Sequence, residues 1–213
     1  MTHIPAHLVP FEFPNTLEGL QQYDAVIISD VGANTFYLHH DTFYAGKATP
    51  NLPELIRQCV AEGGALGMMG GYLTFMGIEA KGQWRNTPVE QALPVTMLPC
   101  DDRREHPEDP CRALARGTTR SPTGLPQELP ALFGYNALTA KAQAKVLIHY
   151  ESDPILTVWE YNEGRELRLG KRLRADWMPE EFCQSDCNPH ALEQCPSLGS
   201  EADLRRIQGG YQL

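Results

Sequence analysis

The run Gly63-Gly64-Ala65-Leu66-Gly67-Met68-Met69-Gly70-Gly71-Tyr72 constrains the fold more than any other part of this chain. A short apolar stretch follows a helix-like segment directly and ends in two glycines. Buried parallel strands read this way when they deliver backbone to the functional edge of an α/β sheet. A second run, Asp24-Ala25-Val26-Ile27-Ile28-Ser29-Asp30, is apolar, partly β-branched and closed by polar residues. Between the two, Leu52, Leu55, Ile56, Cys59 and Val60 recur at helical spacing and predict an amphipathic helix over Pro53 to Glu62, stopped by Gly63 and Gly64. The expectation is two parallel neighbours with a crevice at their carboxyl ends.

Hydrolytic enzymes built this way place a nucleophile on the turn after the second strand. Here that turn carries Gly70, Gly71 and Tyr72, with neither Cys nor Ser. The pattern points to a fold more clearly than to a reaction.

Composition narrows the partners. The 213 residues suffice for one domain with a two-sided core. A formal charge of −9 argues against a nucleic-acid backbone as partner, because phosphate binding needs a basic surface. No apolar run approaches the roughly 18 residues of a membrane span, and Met1 to Pro10 lacks a secretory signal. The six cysteines are therefore expected as free thiols in a reducing cytoplasm. The expected partner is a small-molecule ligand or substrate, with a homo-oligomer as a further expectation and no cofactor.

Along the chain, Thr2 to Pro5 reads as the end of a strand, and Asn15-Thr16 as the cap of a short helix through Gln22. Gly32 to Thr35 reads as a loop, and Tyr72 to Asn86 as a longer Gly-rich one. Thr87-Pro88-Val89-Glu90 has capping-box spacing with proline at the first helical position, and Val95 to Leu98 is a further strand. Asp101 to Pro130, rich in charge, Pro and Gly, reads as a surface excursion. Lys145 to Tyr150, Ile155 to Tyr161 and Arg165 to Leu169 read as strands, the last two joined by the hairpin signal Asn162-Glu163-Gly164. Residues 1–183 are read as one domain, and 184–213 as a divergent tail.

Chemistry-bearing residues fall in five groups. Asp30 and Asn34 lie just beyond a strand end, where they either contact a ligand or cap the loop through side-chain-to-backbone bonds. Gly70 and Gly71 either offer N–H groups to an anion or oxyanion or permit close packing, with Tyr72 beside them. Tyr135 and Asn136 precede the late strands, and the tyrosine either lines the crevice or belongs to the core. The fourth group, Cys183, Cys187, His190 and Cys195, is dense in metal-ligand types, but its C-x₃-C-x₂-H-x₄-C spacing matches no common zinc module, so no metal is expected. Cys187 and His190 would instead make a nucleophile and base. His39-His40-Asp41 reads as a solvated loop cluster.

The strings Tyr23 through Asn34, Gly70-Gly71-Tyr72-Leu73-Thr74-Phe75-Met76-Gly77-Ile78, Thr87 through Pro99, and Gly134-Tyr135-Asn136 together resemble the putative glutamine amidotransferase family, within the class I glutamine amidotransferase-like superfamily. The resemblance spans roughly residues 3 to 170. It implies a flavodoxin-like, mostly parallel sheet flanked by helices, a late antiparallel hairpin, and a cytoplasmic location. Members of that family begin with a strand and helix ahead of the segment matching His3 to Pro10, and this unit is expected to be lacking here. Active class I enzymes carry a cysteine at the elbow, so the glutaminase triad does not carry over. The family's Asp-Cys-x-Pro-His-Trp string finds its nearest counterpart, without the tryptophan, in Asp186 to His190.

Overall fold

In a computed structural model, residues 2–115, 131–162 and 164–169 are described. The chain enters through a 3₁₀ turn, Ala6–Leu8, running into a four-residue helix, α1 (Val9–Glu12). This corrects the strand end expected over Thr2 to Pro5. Residues 2–5 pair with no strand among the described residues, and Pro10 fits the first turn of α1, where its missing N–H costs nothing. Thr16 then caps α2 (Leu17–Leu20), its side chain accepting the Gly19 N–H at 3.1 Å.

β1 (Ala25–Ser29) follows, then α3 (Asn34–Tyr37), where a loop was expected, and α4 (His40–Ala45), capped by His39. His39-His40-Asp41 is thus a helix start: His39 Nδ1 accepts the Asp41 N–H. α5 (Leu52–Ala61) is capped by Asn51 and buries Leu52, Ile56, Cys59 and Val60, the stripe its spacing predicts. It leads into β2 (Ala65–Met69). β1 and β2 pair in parallel with Ile27 opposite Gly67, as expected.

α6 (Pro88–Ala92) begins at Thr87, whose hydroxyl accepts the Glu90 N–H at 3.3 Å. The Glu90 carboxylate accepts from Asn86 N–H and, at 2.7 Å, from Met97 N–H. One buried side chain thereby ties the helix to β3 (Val95–Met97).

The segment after β3 departs from expectation. Part of the presumed surface excursion is woven into the fold: β4 (Arg103–Glu105) and β5 (Leu114–Ala115) are strands, and Cys111 bridges to Leu132. β6 (Gly134–Asn136) pairs antiparallel with β4, and β7 (Leu138–Ala140) with β3. β8 (Lys145–Tyr150), β9 (Asp153–Tyr161) and β10 (Gly164–Leu169) fall where the sequence placed them, and β9–β10 is the expected hairpin.

The main sheet has the order β1-β2-β10-β9-β8-β5. β1–β2 and β2–β10 are parallel, while β10–β9, β9–β8 and β8–β5 are antiparallel. The protein is therefore mixed α/β, and the expected mostly parallel sheet is corrected. The cause is the short hairpin connection, which can join only antiparallel neighbours. One core lies between α5, α6 and the β1–β2 pair around Ile56, Leu66, Met68 and Trp84; a second lies around Ile148, Ile155 and Leu132.

Candidate functional site

The loop from Gly70 to Asn86, leaving the C-terminal end of β2, is anchored to the protein by its buried residues, among them Thr74, Phe75, Met76 and Trp84. Trp84 is fully buried and its indole N–H donates to Val31 C=O at 2.8 Å, tying the far end of the loop to the exit of β1. Gly82 accepts the Ala33 N–H at 2.8 Å and lies so close to Phe75 C=O that a Cβ would sit 2.5 Å from that oxygen. Phe75, Glu79, Ala80, Gln83 and Asn86 all hold positive φ. Such a concentration of sparsely populated backbone conformations persists only where the surroundings over-determine it.

Two buried side chains hold the first half of the loop, at Gly71, Met76 and Gly77. Asp102 is fully buried, and its carboxylate accepts from Met76 N–H at 2.9 Å, Gly77 N–H at 3.0 Å and Asn136 Nδ2 at 2.8 Å. Asn136 Oδ1 accepts the Gly71 N–H at 2.9 Å, while Nδ2 also donates to Gly71 C=O at 3.2 Å. The amide can face only one way: its oxygen must meet an N–H, and its nitrogen must meet a carbonyl and a carboxylate. Buried polar groups persist when satisfied in this manner.

Asp30 closes the other side. Its N–H donates to Thr74 Oγ1 at 2.8 Å, and its Oδ1 accepts the Leu73 N–H at 3.0 Å. A Cβ built on Gly71 would stand 2.7 Å from Asp30 Oδ1. Gly71 is thus a position of close approach, where a side chain could enter only if Asp30 moved.

The structure brings Asp30, Gly71 and Asn136 together, joined through the loop by Asp102, which the sequence reading missed. Gly70 is buried beside them, and Tyr72 is half-buried with the Arg103 guanidinium 5.3 Å over its ring. Arg103 in turn makes a forked pair with Asp101, at 3.1 and 2.9 Å, and reaches Glu105. The Arg103 hydrogen bonds hold the Asp101 carboxyl well below the usual range, and the same pairing raises Arg103. Asn34 is exposed at the start of α3. Cys187 and His190 lie outside the described residues. Among the described residues, no group of three or more His, Cys, Asp or Glu is placed to hold a metal ion.

Tyr135 is buried in the second core and stands apart from this loop in its bonding. Its hydroxyl donates to Asp153 Oδ2 at 3.0 Å, and its ring meets those of His106 and Tyr150. Burial, then the Asp153 bond, pushes its phenol well above the ordinary value. Asp153 also lines a hollow of about 320 Å³ with Thr139, Val146, His149 and Ser152. None of the lining residues belongs to the turn after β2.

Fold and site together define a mixed α/β protein in which a glycine turn, held by Asn136 and Asp30, follows the second of two parallel strands. The chain belongs to the family described as "Putative glutamine amidotransferase", whose model matches residues 1–193. Two solved structures resemble it over most of its length. Cytoplasmic protein STM3548 from Salmonella typhimurium is 37% identical with a TM-score of 0.85, covering 91% of this chain and 78% of that one. Cytoplasmic protein STM1381 from Salmonella typhimurium LT2 is 40% identical with a TM-score of 0.82, covering 89% and 80%. A putative ThuA-like protein from Bacteroides uniformis, 14% identical with a TM-score of 0.56 over 88% of this chain and 74% of that one, shares the fold alone. Among curated proteins nothing matches. No helix among the described residues is long and apolar enough to cross a membrane.

Proposed function

We propose that this chain is a cytoplasmic, flavodoxin-like member of the family that binds a small polar molecule at the carboxyl ends of β1 and β2 without hydrolysing it. The observation that carries this reading is the state of Gly71. Its N–H, which an acyl-transfer site would aim at an oxyanion, donates to Asn136 Oδ1, and Asp30 fills the space of a side chain. A nucleophile on this turn would have to displace both.

This reading assigns the ligand to the exposed Asn34 amide, beyond the end of β1, and to Tyr72, half-buried beside Gly71 with Arg103 over its ring. They suit a small amide or amino acid, and L-glutamine is the probe. Binding at this surface predicts that glutamine raises the melting temperature, that no ammonia is released, and that Tyr72→Ala abolishes the shift. Release of ammonia that Cys187→Ser removes would replace this reading with the catalytic one, in which Cys187 and His190 act as nucleophile and base. Absence of any shift with glutamine would overturn binding.

A further inference from the structure

Among the described residues, no strand pairs with the outer edge of β1. Ala65 N–H donates to Asp24 C=O at 3.3 Å, and β1 and β2 are in parallel register. Alternation along a strand then turns residues 24, 26 and 28 toward β2 and turns Ala25, Ile27 and Ser29 outward. β1 is the terminal strand of its sheet, and among the described residues no hydrogen bond reaches the outward N–H or C=O groups of these three. Ile27 is 43% exposed, an apolar β-branched side chain in the middle of the edge.

Sheet edges are ordinarily blunted by charge, proline, bulges or brevity. Ala25–Ser29 has none of these devices: five residues in unbroken register, without Lys, Pro or bulge.

We infer that β1 pairs with β1 of a second copy of this chain, antiparallel about a two-fold axis at Ile27, to make one sheet continuous across both. The outward residues are symmetric about Ile27, so this register is self-complementary. Ile27 exchanges both bonds with Ile27 of the second copy, and Ala25 and Ser29 exchange theirs crosswise, leaving none of the six groups on each strand unpaired. Asp24 and Asp30 fall opposite each other at the ends, but Asp30 turns its carboxylate inward onto Leu73 N–H. Each chain carries a formal charge of −9, so association strengthens with added salt. The inference is independent of what the crevice binds.

Sedimentation velocity on the full chain over a dilution series, combined with residue-resolved hydrogen exchange, tests it. A reversible monomer–dimer equilibrium is expected, in which the amides of Ala25, Ile27 and Ser29 gain protection with concentration while those of Val26 and Ile28 do not change. Ile27→Lys, at an exposed position, and Ile27→Pro, which deletes one outward N–H and none of the β2 ladder, each weaken the dimer by about tenfold or more. A chain that stays monomeric throughout overturns the inference. So does a dimer indifferent to both variants, or protection of the three amides that is independent of concentration.

Discussion

Asn136 holds Gly71 by both of its main-chain groups, accepting the N–H at 2.9 Å and donating to the C=O at 3.2 Å. The same nitrogen reaches the Asp102 carboxylate, so one amide couples the turn after β2 to the carboxylate that anchors Met76 and Gly77. Asn136→Leu leaves these groups without partners in a buried site and is expected to destabilise by about 2–4 kcal/mol. Asn136→Asp sets a second carboxylate against Asp102 and is expected to cost about 3–5 kcal/mol at neutral pH, with part recovered in acid. Urea unfolding at two pH values measures both.

Close approach at Gly71 makes a second prediction. The added methyl of Gly71→Ala would meet Asp30 Oδ1 and is expected to destabilise by about 1–3 kcal/mol. Shortening the neighbour in Asp30→Ala as well should relieve the clash, so a double-mutant cycle gives a coupling energy of opposite sign to the single losses. A neutral Gly71→Ala would show that the turn is roomier than described.

Acid sensitivity follows from Asp101. Its carboxyl is held below the ordinary value by the Arg103 hydrogen bonds, with Glu79 N–H adding to the effect. A depressed folded-state pKa contributes stability that is complete above the unfolded value of about 4, and is lost as pH falls through the folded one. Melting temperature should therefore fall more steeply below about pH 4 for the native chain than for Asp101→Asn. Parallel acid limbs would remove the pair from the stability account.

Tyr135 acts at the other end of the scale. Burial and the bond to Asp153 favour its protonated form, so its contribution is complete below the ordinary phenol value of about 10 and is lost as pH rises toward the higher folded-state value. Tyr37 and Tyr150 are raised as well, so titration of tyrosinate absorbance in the native protein should show several groups above the free-phenol range, and Tyr135→Phe should remove one tyrosine's share of it.

Much of the scaffold is legible in the sequence because it depends on local pattern. The apolar runs of β1 and β2, the stripe on α5, the Thr87 cap and the Asn162-Glu163-Gly164 turn each carry their signal within a few residues. Asp102 shows where local reading stops. It sits in the string Asp101-Asp102-Arg103-Arg104-Glu105, which reads as solvated surface, yet it is fully buried. Its burial is offset by the N–H groups of Met76 and Gly77, main-chain donors that have no signature in any side chain. The sheet order was equally hidden, because local patterns set which segments are strands but not which neighbours they take. At Gly71, the sequence left open whether glycine serves a ligand's approach or the protein's own packing, and the packing partners turned out to be Asp30 and Asn136.

Intact-mass analysis after incubation with a glutamine-mimicking diazoketone, which alkylates glutaminase cysteines, tests most directly whether the turn after β2 is closed to acyl chemistry. An unmodified full-length chain is the predicted result. A stoichiometric adduct on cysteine that excess L-glutamine prevents would contradict the account.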